Sequence, residues 1–259
     1  MSRLLKDAVR STCGALGLEV RRKVPEPVQN GPQLPSDFDQ ETVQIIQQVR
    51  PFTMTSAERI ASLCNAIKYI VKAGIEGDVV ECGVWRGGSM MAVALELAHL
   101  GASRTLYLFD TFDGMSEPSD VDQNLIGQSA SELLQTEDKA TSHNWAYCPE
   151  EDVFKNVSST GYDMSHVRLV KGKVEDTVPK NAPEKIALLR LDTDWYESTL
   201  RELVHLFPRL VPGGVLIIDD YGHWQGARKA VDEYIAGNQV KILLNRVDYT
   251  GRIGVKIAN

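Results

Sequence analysis

At 259 residues, 43% of them hydrophobic, the chain can bury a full core as one α/β domain with an N-terminal extension. Its 35 acidic and 28 basic residues leave a net charge of −7 and no basic stripe, which argues against nucleic acid as a partner. The sequence holds neither an 18-residue apolar run nor a signal-peptide hydrophobic region, so membrane spanning and secretion are not expected.

Met1 to Val20 is mildly amphipathic and basic, suited to docking on its own domain or on a partner subunit. Arg21 to Ser36 follows with four prolines, Pro25, Pro27, Pro32 and Pro35, and reads as an extended arm that hints at a homodimer. The expected division is therefore 1–50 as helical extension and arm, and 51–259 as the main domain. Cys13, Cys64, Cys82 and Cys148 show no paired metal spacing and read as reduced thiols of a cytoplasmic protein.

Asp37 to Val49 has helical apolar spacing, and Pro51 stops it. Thr55 with Glu58 three residues on is expected to form a capping box. The helix it opens has Ile60, Leu63, Ile67 and Val71 as its buried stripe and closes at Gly74. Asp78 to Glu81 then reads as a strand delivering Gly83, Gly87 and Gly88 to the start of a helix over Met90 to Leu100. Such a turn lets backbone approach a ligand closely, as in nucleotide-binding α/β folds. The pattern is not G-x-G-x-x-G, and a tight connection is the plainer alternative. The next strand, Thr105 to Asp110, ends in an acid where such folds put a carboxylate on a ribose diol, so Glu81 and Asp110 are expected to flank one cofactor.

Thr111 to Met164 is too long and too polar for a simple crossover and suggests a lid, with 113–148 as its bounds. Its acids Asp113, Glu117, Asp120, Asp122, Glu132 and Glu137, with Gly114, Trp145 and Tyr147, would suit a polyhydroxylated ligand; a solvated loop is the alternative. Pro149 is expected at the first position of a helix, and His166 to Val174 as a third strand.

Two apolar runs then end in acid: Leu188 to Asp192, followed by Asp194, and Val215 to Asp219 and Asp220. With a helical Trp195 to Leu210 and a turn at Val211 to Gly214 between them, they read as parallel strands about 4.8 Å apart. Asp192 would then meet Asp219 and Asp220 at one sheet edge. Carboxylates so gathered repel, and a divalent cation removes the conflict. All-oxygen ligation favours magnesium, with manganese and calcium as alternatives. Any one of these acids could instead be an ordinary helix cap. Gln225 to Ala236 reads as a helix, and Val240 to Asp248 with Arg252 to Ile257 as a closing hairpin.

Four motifs, Val80-Glu-Cys-Gly-Val-Trp-Arg-Gly-Gly-Ser89, Leu108-Phe-Asp-Thr-Phe-Asp-Gly114, Leu191-Asp-Thr-Asp-Trp-Tyr-Glu-Ser-Thr199 and Pro212-Gly-Gly-Val-Leu-Ile-Ile-Asp-Asp-Tyr-Gly222, together with Arg50-Pro-Phe-Thr-Met-Thr55, resemble the macrocin O-methyltransferase family. The resemblance covers most of residues 50 to 235. It implies a Rossmann-like class I methyltransferase fold: a mostly parallel seven-stranded sheet with an antiparallel C-terminal hairpin strand. It also implies transfer of a methyl group from S-adenosylmethionine to a hydroxyl, typically of a sugar in a glycoside. By matching position, the resemblance implies that Glu81, Gly83, Val84 and Ser89 hold the cofactor, with its ribose on Asp110, Thr111 and Phe112 beside it, Met54 in contact, and Gly172 and Lys173 at the adenine side. Asp192, Asp219 and Asp220 match the magnesium ligands, and Asp194 the base.

The chemistry is consistent with that set. A sulfonium methyl is already electrophilic, so the protein has to align an acceptor oxygen and make it nucleophilic; a cation lowers the hydroxyl pKa and a carboxylate collects the proton. His223 is a rival base, or simply a hydrogen-bonded residue at the site rim. A catechol-type methyltransferase would share cofactor and metal but take a planar phenol. A nicotinamide oxidoreductase lacks support, since the phosphate fingerprint and a Tyr-x-x-x-Lys pair are both missing. A non-catalytic ligand-binding protein would keep the glycines but not all the acids.

Overall fold

A computed structural model describes residues 34–258; the expected N-terminal helix, most of the proline arm and Cys13 lie outside the described residues. Helix α1 (Gln40–Val49) starts at Asp39, whose side chain accepts from the Thr42 amide. Helix α2 (Ala57–Lys72) is capped by Ser56, not Thr55: the Ser56 hydroxyl accepts from the Arg59 amide. The expected capping box is thus one residue out, and Thr55 is left for a different bond described below. The buried stripe of α2 is Ile60, Leu63, Ile67 and Ile70, with Val71 only half-buried, and Gly74 follows its end at φ 64°. A left-handed residue there lets the chain leave the helix.

Strands β1 (Asp78–Cys82), β2 (Leu106–Asp110), β3 (Val167–Lys171), β4 (Ile186–Leu191) and β5 (Leu210–Ile218) are parallel, and β6 (Asn245–Arg246) and β7 (Arg252–Val255) complete one sheet in the order β3-β2-β1-β4-β5-β7-β6. Strand β7 runs antiparallel to β5 and to β6. This is the seven-stranded sheet the resemblance implied. Strand β4 is buried at every position, as a central parallel strand covered on both faces must be. Helices α2 and α3 (Gly88–His99) cover one face, while α6 (Val174–Asn181), α7 (Tyr196–Leu206) and α8 (Gln225–Gly237) bury Val178, Leu203, Leu206, Val231 and Tyr234 against the other.

Two boundary expectations fail for identifiable reasons. Val211 to Gly214 is not a free turn: β5 begins at Leu210 and absorbs it, because the Gly213 amide donates to Lys256 while Lys256 in return donates to Gly214. The expected long strand Val240 to Asp248 shrinks to Asn245–Arg246, since the remainder packs by side chains, Val240, Ile242 and Leu244 resting on the core.

The insertion carries helices α4 (Ala130–Thr136) and α5 (Glu150–Ser158), the latter with Pro149 at its cap, one position before the expected place. It is not a loose loop. Ala130, Leu134, Trp195, Trp224 and Ala227 form a second apolar cluster, with Trp145 packed on it, and the Trp195 and Trp224 rings meet edge to face at 4.8 Å. Asp122, buried in the lid, accepts from the Ser119 amide and hydroxyl and from the Tyr196 amide at the start of α7. The lid is thereby fixed to the C-terminal edge of the sheet.

Candidate active site

The sheet order reverses between β1 and β4: β1 leads on to β2 on one side and β4 to β5 on the other. Their carboxyl ends diverge and open a crevice, the usual ligand position in open α/β sheets. One cavity fills it, walled by the turn after β1, the acids after β4 and β5, the segment before α2, and the lid.

The glycine turn is shaped by close backbone approach. Gly83 has φ 81°, and a Cβ there would overlap the Asp192 carbonyl oxygen. Gly87, at φ 87°, starts α3, and a Cβ on Gly88 would stand 2.7 Å from the Phe52 carbonyl carbon. The Phe52-Thr53-Met54 segment can therefore lie directly over the helix N-terminus, where Gly88 and Ser89 face the cavity. Asp110 ties the turn to β2: one carboxylate oxygen accepts from the Val84 amide at 2.6 Å and the Trp85 amide at 3.1 Å, and the other accepts from the Phe112 amide at 2.8 Å. Burial raises its pKa and these amides oppose the rise.

Of the residues the resemblance implied for the cofactor, Met54, Gly83, Val84, Ser89, Asp110, Thr111, Gly172 and Lys173 line this cavity. Glu81 and Phe112 do not. Phe112 is buried, and the Glu81 carboxylate points beneath the turn to accept from Arg190 at 2.6 Å. On β1 Glu81 is paired in register with Arg190 on β4, so the two side chains share one face of the sheet and meet there.

The acids converge in a pattern that differs from the expected one. Strands β4 and β5 pair Leu191 with Ile218, which brings their following residues alongside. Carboxylate oxygens of Asp192, Asp194 and Asp220 lie within 4.8 Å of one another, and one Asp220 oxygen is buried without a hydrogen-bond partner among the described residues. Asp219 lines the same cavity but is already engaged: its two oxygens accept from Arg190, at 2.6 Å, and from Arg59. Consecutive residues point to opposite sides until the chain turns, which separates Asp219 from Asp220. Asp194 has φ 71°, a strained conformation for a non-glycine residue, and this turn carries its carboxyl back toward Asp220. Burial pushes the Asp194 carboxyl up to about 7, with the Asp192 charge adding to it, and it holds Asp220 well above the usual carboxylate range. Three acids crowded this way, with an orphaned oxygen among them, fit a hard divalent cation.

His223 lines the same cavity, its Nδ1 3.5 Å from the Tyr249 hydroxyl, and burial together with nearby Arg59 lowers its pKa, so the ring is neutral near pH 7. The lid contributes Gly114, Met115, Ser116, His143, Asn144 and Ala146. Apart from Gly114, the residues expected to meet a polyhydroxylated ligand do not reach the cavity: Asp113, Glu117, Asp120 and Glu132 face solvent, Asp122 and Trp145 hold the lid, and neither Glu137 nor Tyr147 lines it. Arg59, Arg190, Trp224 and Tyr249 were not foreseen. For Arg190 a signal existed, since an arginine inside a fully apolar strand must find buried acceptors.

A family model described as macrocin-O-methyltransferase (TylF) matches residues 33–254. A tetracenomycin-C 4'-O-methyltransferase of Streptomyces olivaceus, whose full name specifies a dimethoxy-rhamnosyl substrate, is 35% identical over 201 residues, 77% of this chain and 73% of that protein. The mycinamicin III 3''-O-methyltransferase of Micromonospora griseorubida is 34% identical over 184 residues, 70% of this chain and 69% of that protein. Among solved structures, the O-methyltransferase NovP superposes with a TM-score of 0.69 at 29% identity, covering 80% of this chain and 83% of that one. The calicheamicin methyltransferase CalS11 superposes at 0.59 over 91% of this chain and 99% of that one; at 16% identity it shows the fold alone. With the family model matching nearly all of the described residues and these relatives at 34–35% identity, the chain belongs to the macrocin O-methyltransferase family.

Proposed function

We propose that this enzyme moves the methyl group of S-adenosylmethionine to a hydroxyl of a sugar carried on a glycoside, with Mg²⁺ bound by Asp192 and Asp220. The observation that carries the reading is the meeting of Asp192, Asp194 and Asp220 in the same crevice as the Gly83 turn. The names of the relatives support a glycosyl acceptor. The buried free thiols Cys64, Cys82 and Cys148 support a cytoplasmic setting.

In this reading Gly83, Val84 and Ser89 give the cofactor backbone and the α3 N-terminus, Asp110 and Thr111 flank its ribose, and Met54, Gly172 and Lys173 close around it. When bound, the cofactor supplies an electrophilic methyl and the cation lowers the acceptor hydroxyl's pKa. Asp194 then takes the hydroxyl proton. Its carboxyl lines the cavity and accepts from no arginine among the described residues, and burial raises its affinity for a proton, which suits a base. The lid residues Ser116, His143 and Asn144 and the edge of Trp224 fence the acceptor side.

Asp219 as a third ligand requires Arg59 to give up its oxygen. The grouping of Asp194 with Asp192 and Asp220 favours a second reading in which Asp194 is itself the third ligand and neutral His223 is the base. Calorimetric titration of Mn²⁺ into Asp194→Asn separates them: binding within a few-fold of the unaltered enzyme supports the base, and its loss supports the ligand. Assaying a glycoside panel against a catechol tests the acceptor class; methylation of the catechol alone would exclude the sugar.

A further inference from the structure

Arg190 heads the fully buried side chains by size among the described residues, 2% exposed, one residue before the C-terminal end of the central strand β4. Its Nη1 donates to Glu81 and to Asp192, each at 2.6 Å, and its Nη2 donates to Asp219 at 2.6 Å and to the Thr55 hydroxyl at 3.0 Å. One planar fork therefore joins the ends of three neighbouring strands to the segment before α2. Each contact falls beside a different part of the crevice: Glu81 two residues before the Gly83 turn, Asp192 among the converging acids, Asp219 next to Asp220, and Thr55 next to Met54.

We infer that Arg190 is the positioning residue of the acid cluster, fixing Asp192 so that its carboxylate is presented to a divalent cation in a single orientation. The inference rests on the metal reading above. Arg190 grips one oxygen of Asp192, Oδ2, and the side chain lines the crevice with 26% exposure, so rotation of its carboxylate is arrested while Oδ1 accepts no hydrogen bond from the described residues. The same guanidinium occupies one oxygen of Asp219 while Arg59 occupies the other, so Asp219 lines the crevice with both oxygens already engaged. Only a planar group with several donors can reach four acceptors from one buried position; an ammonium has neither the span nor the geometry. Partners of this kind orient metal ligands, and their loss usually weakens metal affinity by about 10- to 100-fold.

Direct Mn²⁺ titration, followed by electron paramagnetic resonance of the free ion, tests this on the full-length enzyme. Arg190→Lys is expected to weaken Mn²⁺ binding at least about 10-fold, to keep S-adenosylmethionine affinity within about threefold, and to recover turnover when Mg²⁺ is raised. Mn²⁺ affinity within threefold of the unaltered enzyme would overturn the assignment. So would an equal loss of cofactor and metal binding, which would make Arg190 scaffold only. If Arg190→Lys does not fold, Thr55→Val decides: it removes one anchor and leaves every charge, so a threefold or greater loss of Mn²⁺ affinity at unchanged cofactor affinity supports the inference and unchanged Mn²⁺ affinity overturns it. Failure of the unaltered enzyme to bind Mn²⁺ would remove the metal reading and this inference together, whereas binding that Arg190→Lys retains removes the inference alone.

Discussion

Gly83 and Asp192 touch through their backbones: a Cβ on Gly83 would stand 2.6 Å from the Asp192 carbonyl carbon and overlap its oxygen. The turn proposed to receive the cofactor and the loop that carries the acids are thus a single surface. Gly83→Ala forces these loops apart at a position that also holds φ 81°. The expected result is a loss of about 1–3 kcal/mol in urea unfolding, together with weakened binding of cofactor and of Mn²⁺, each read by calorimetry. Unchanged binding of both would show that the contact does not matter to the site.

Asp194→Asn should lower turnover by about 100- to 10,000-fold at saturating cofactor. In the unaltered enzyme with Mg²⁺ bound, the rate should rise with pH along a limb that lies below the cation-free value of about 7, because the proposed base Asp194 must be ionised to accept a proton and the cation's charge favours that form. The residual activity of the variant should lose that rise. A pH–rate profile with the same limb in both proteins would move the base elsewhere, with His223 the first residue to test.

The same carboxyl predicts how stability changes with pH when no cation is bound. Its ordinary pKa of 3.8 rises to about 7 on folding, so between those values the folded chain holds the proton and the unfolded chain has released it. Stability from this group is present below 3.8 and is lost as pH rises toward 7. Thermal melts in EDTA should therefore fall across that window more steeply than those of Asp194→Asn, and Mg²⁺ should offset the fall. Parallel melting curves for the two proteins would count against the crowded acid cluster.

Asp122→Ala strips the acceptor from the Ser119 amide and hydroxyl and from the Tyr196 amide. Buried donors left without a partner are costly, about 1–3 kcal/mol each, so the lid should loosen locally. Hydrogen exchange should speed up over residues 115–135, and the acceptor KM should rise while cofactor affinity stays level. Unaltered exchange would mean that the tryptophan cluster alone holds the lid.

Much of this site was legible in the sequence, and the parts that were not share a cause. Apolar runs ending in Asp192 and Asp219 gave the strands and their shared edge, because a buried parallel strand has a simple composition. The glycine turn was equally plain, since close approach excludes a Cβ. Which carboxyl faces which neighbour is another matter: Asp219 turns to Arg59 and Arg190, and Asp194 turns back to Asp220, through one left-handed residue and partners distant in sequence. Nothing local distinguishes Asp219 from Asp220. The partner of Glu81 was hidden for the same reason, Arg190 lying 109 residues away across the sheet. The helix cap moved from Thr55 to Ser56 because two adjacent hydroxyl residues offer the same local signal, and only the buried arginine decides which is spare. The lid acids illustrate a further limit, as a polar loop reads alike whether its carboxylates bind a ligand, hold the fold or face water.

The account is tested most directly by incubating the enzyme with S-adenosylmethionine and a panel of glycosides, in Mg²⁺ or in EDTA, and following methyl incorporation by mass spectrometry. It predicts one added methyl on a sugar hydroxyl of at least one glycoside, lost in EDTA and restored by excess Mg²⁺. Transfer that proceeds equally in EDTA, or that reaches only phenolic hydroxyls, would contradict it.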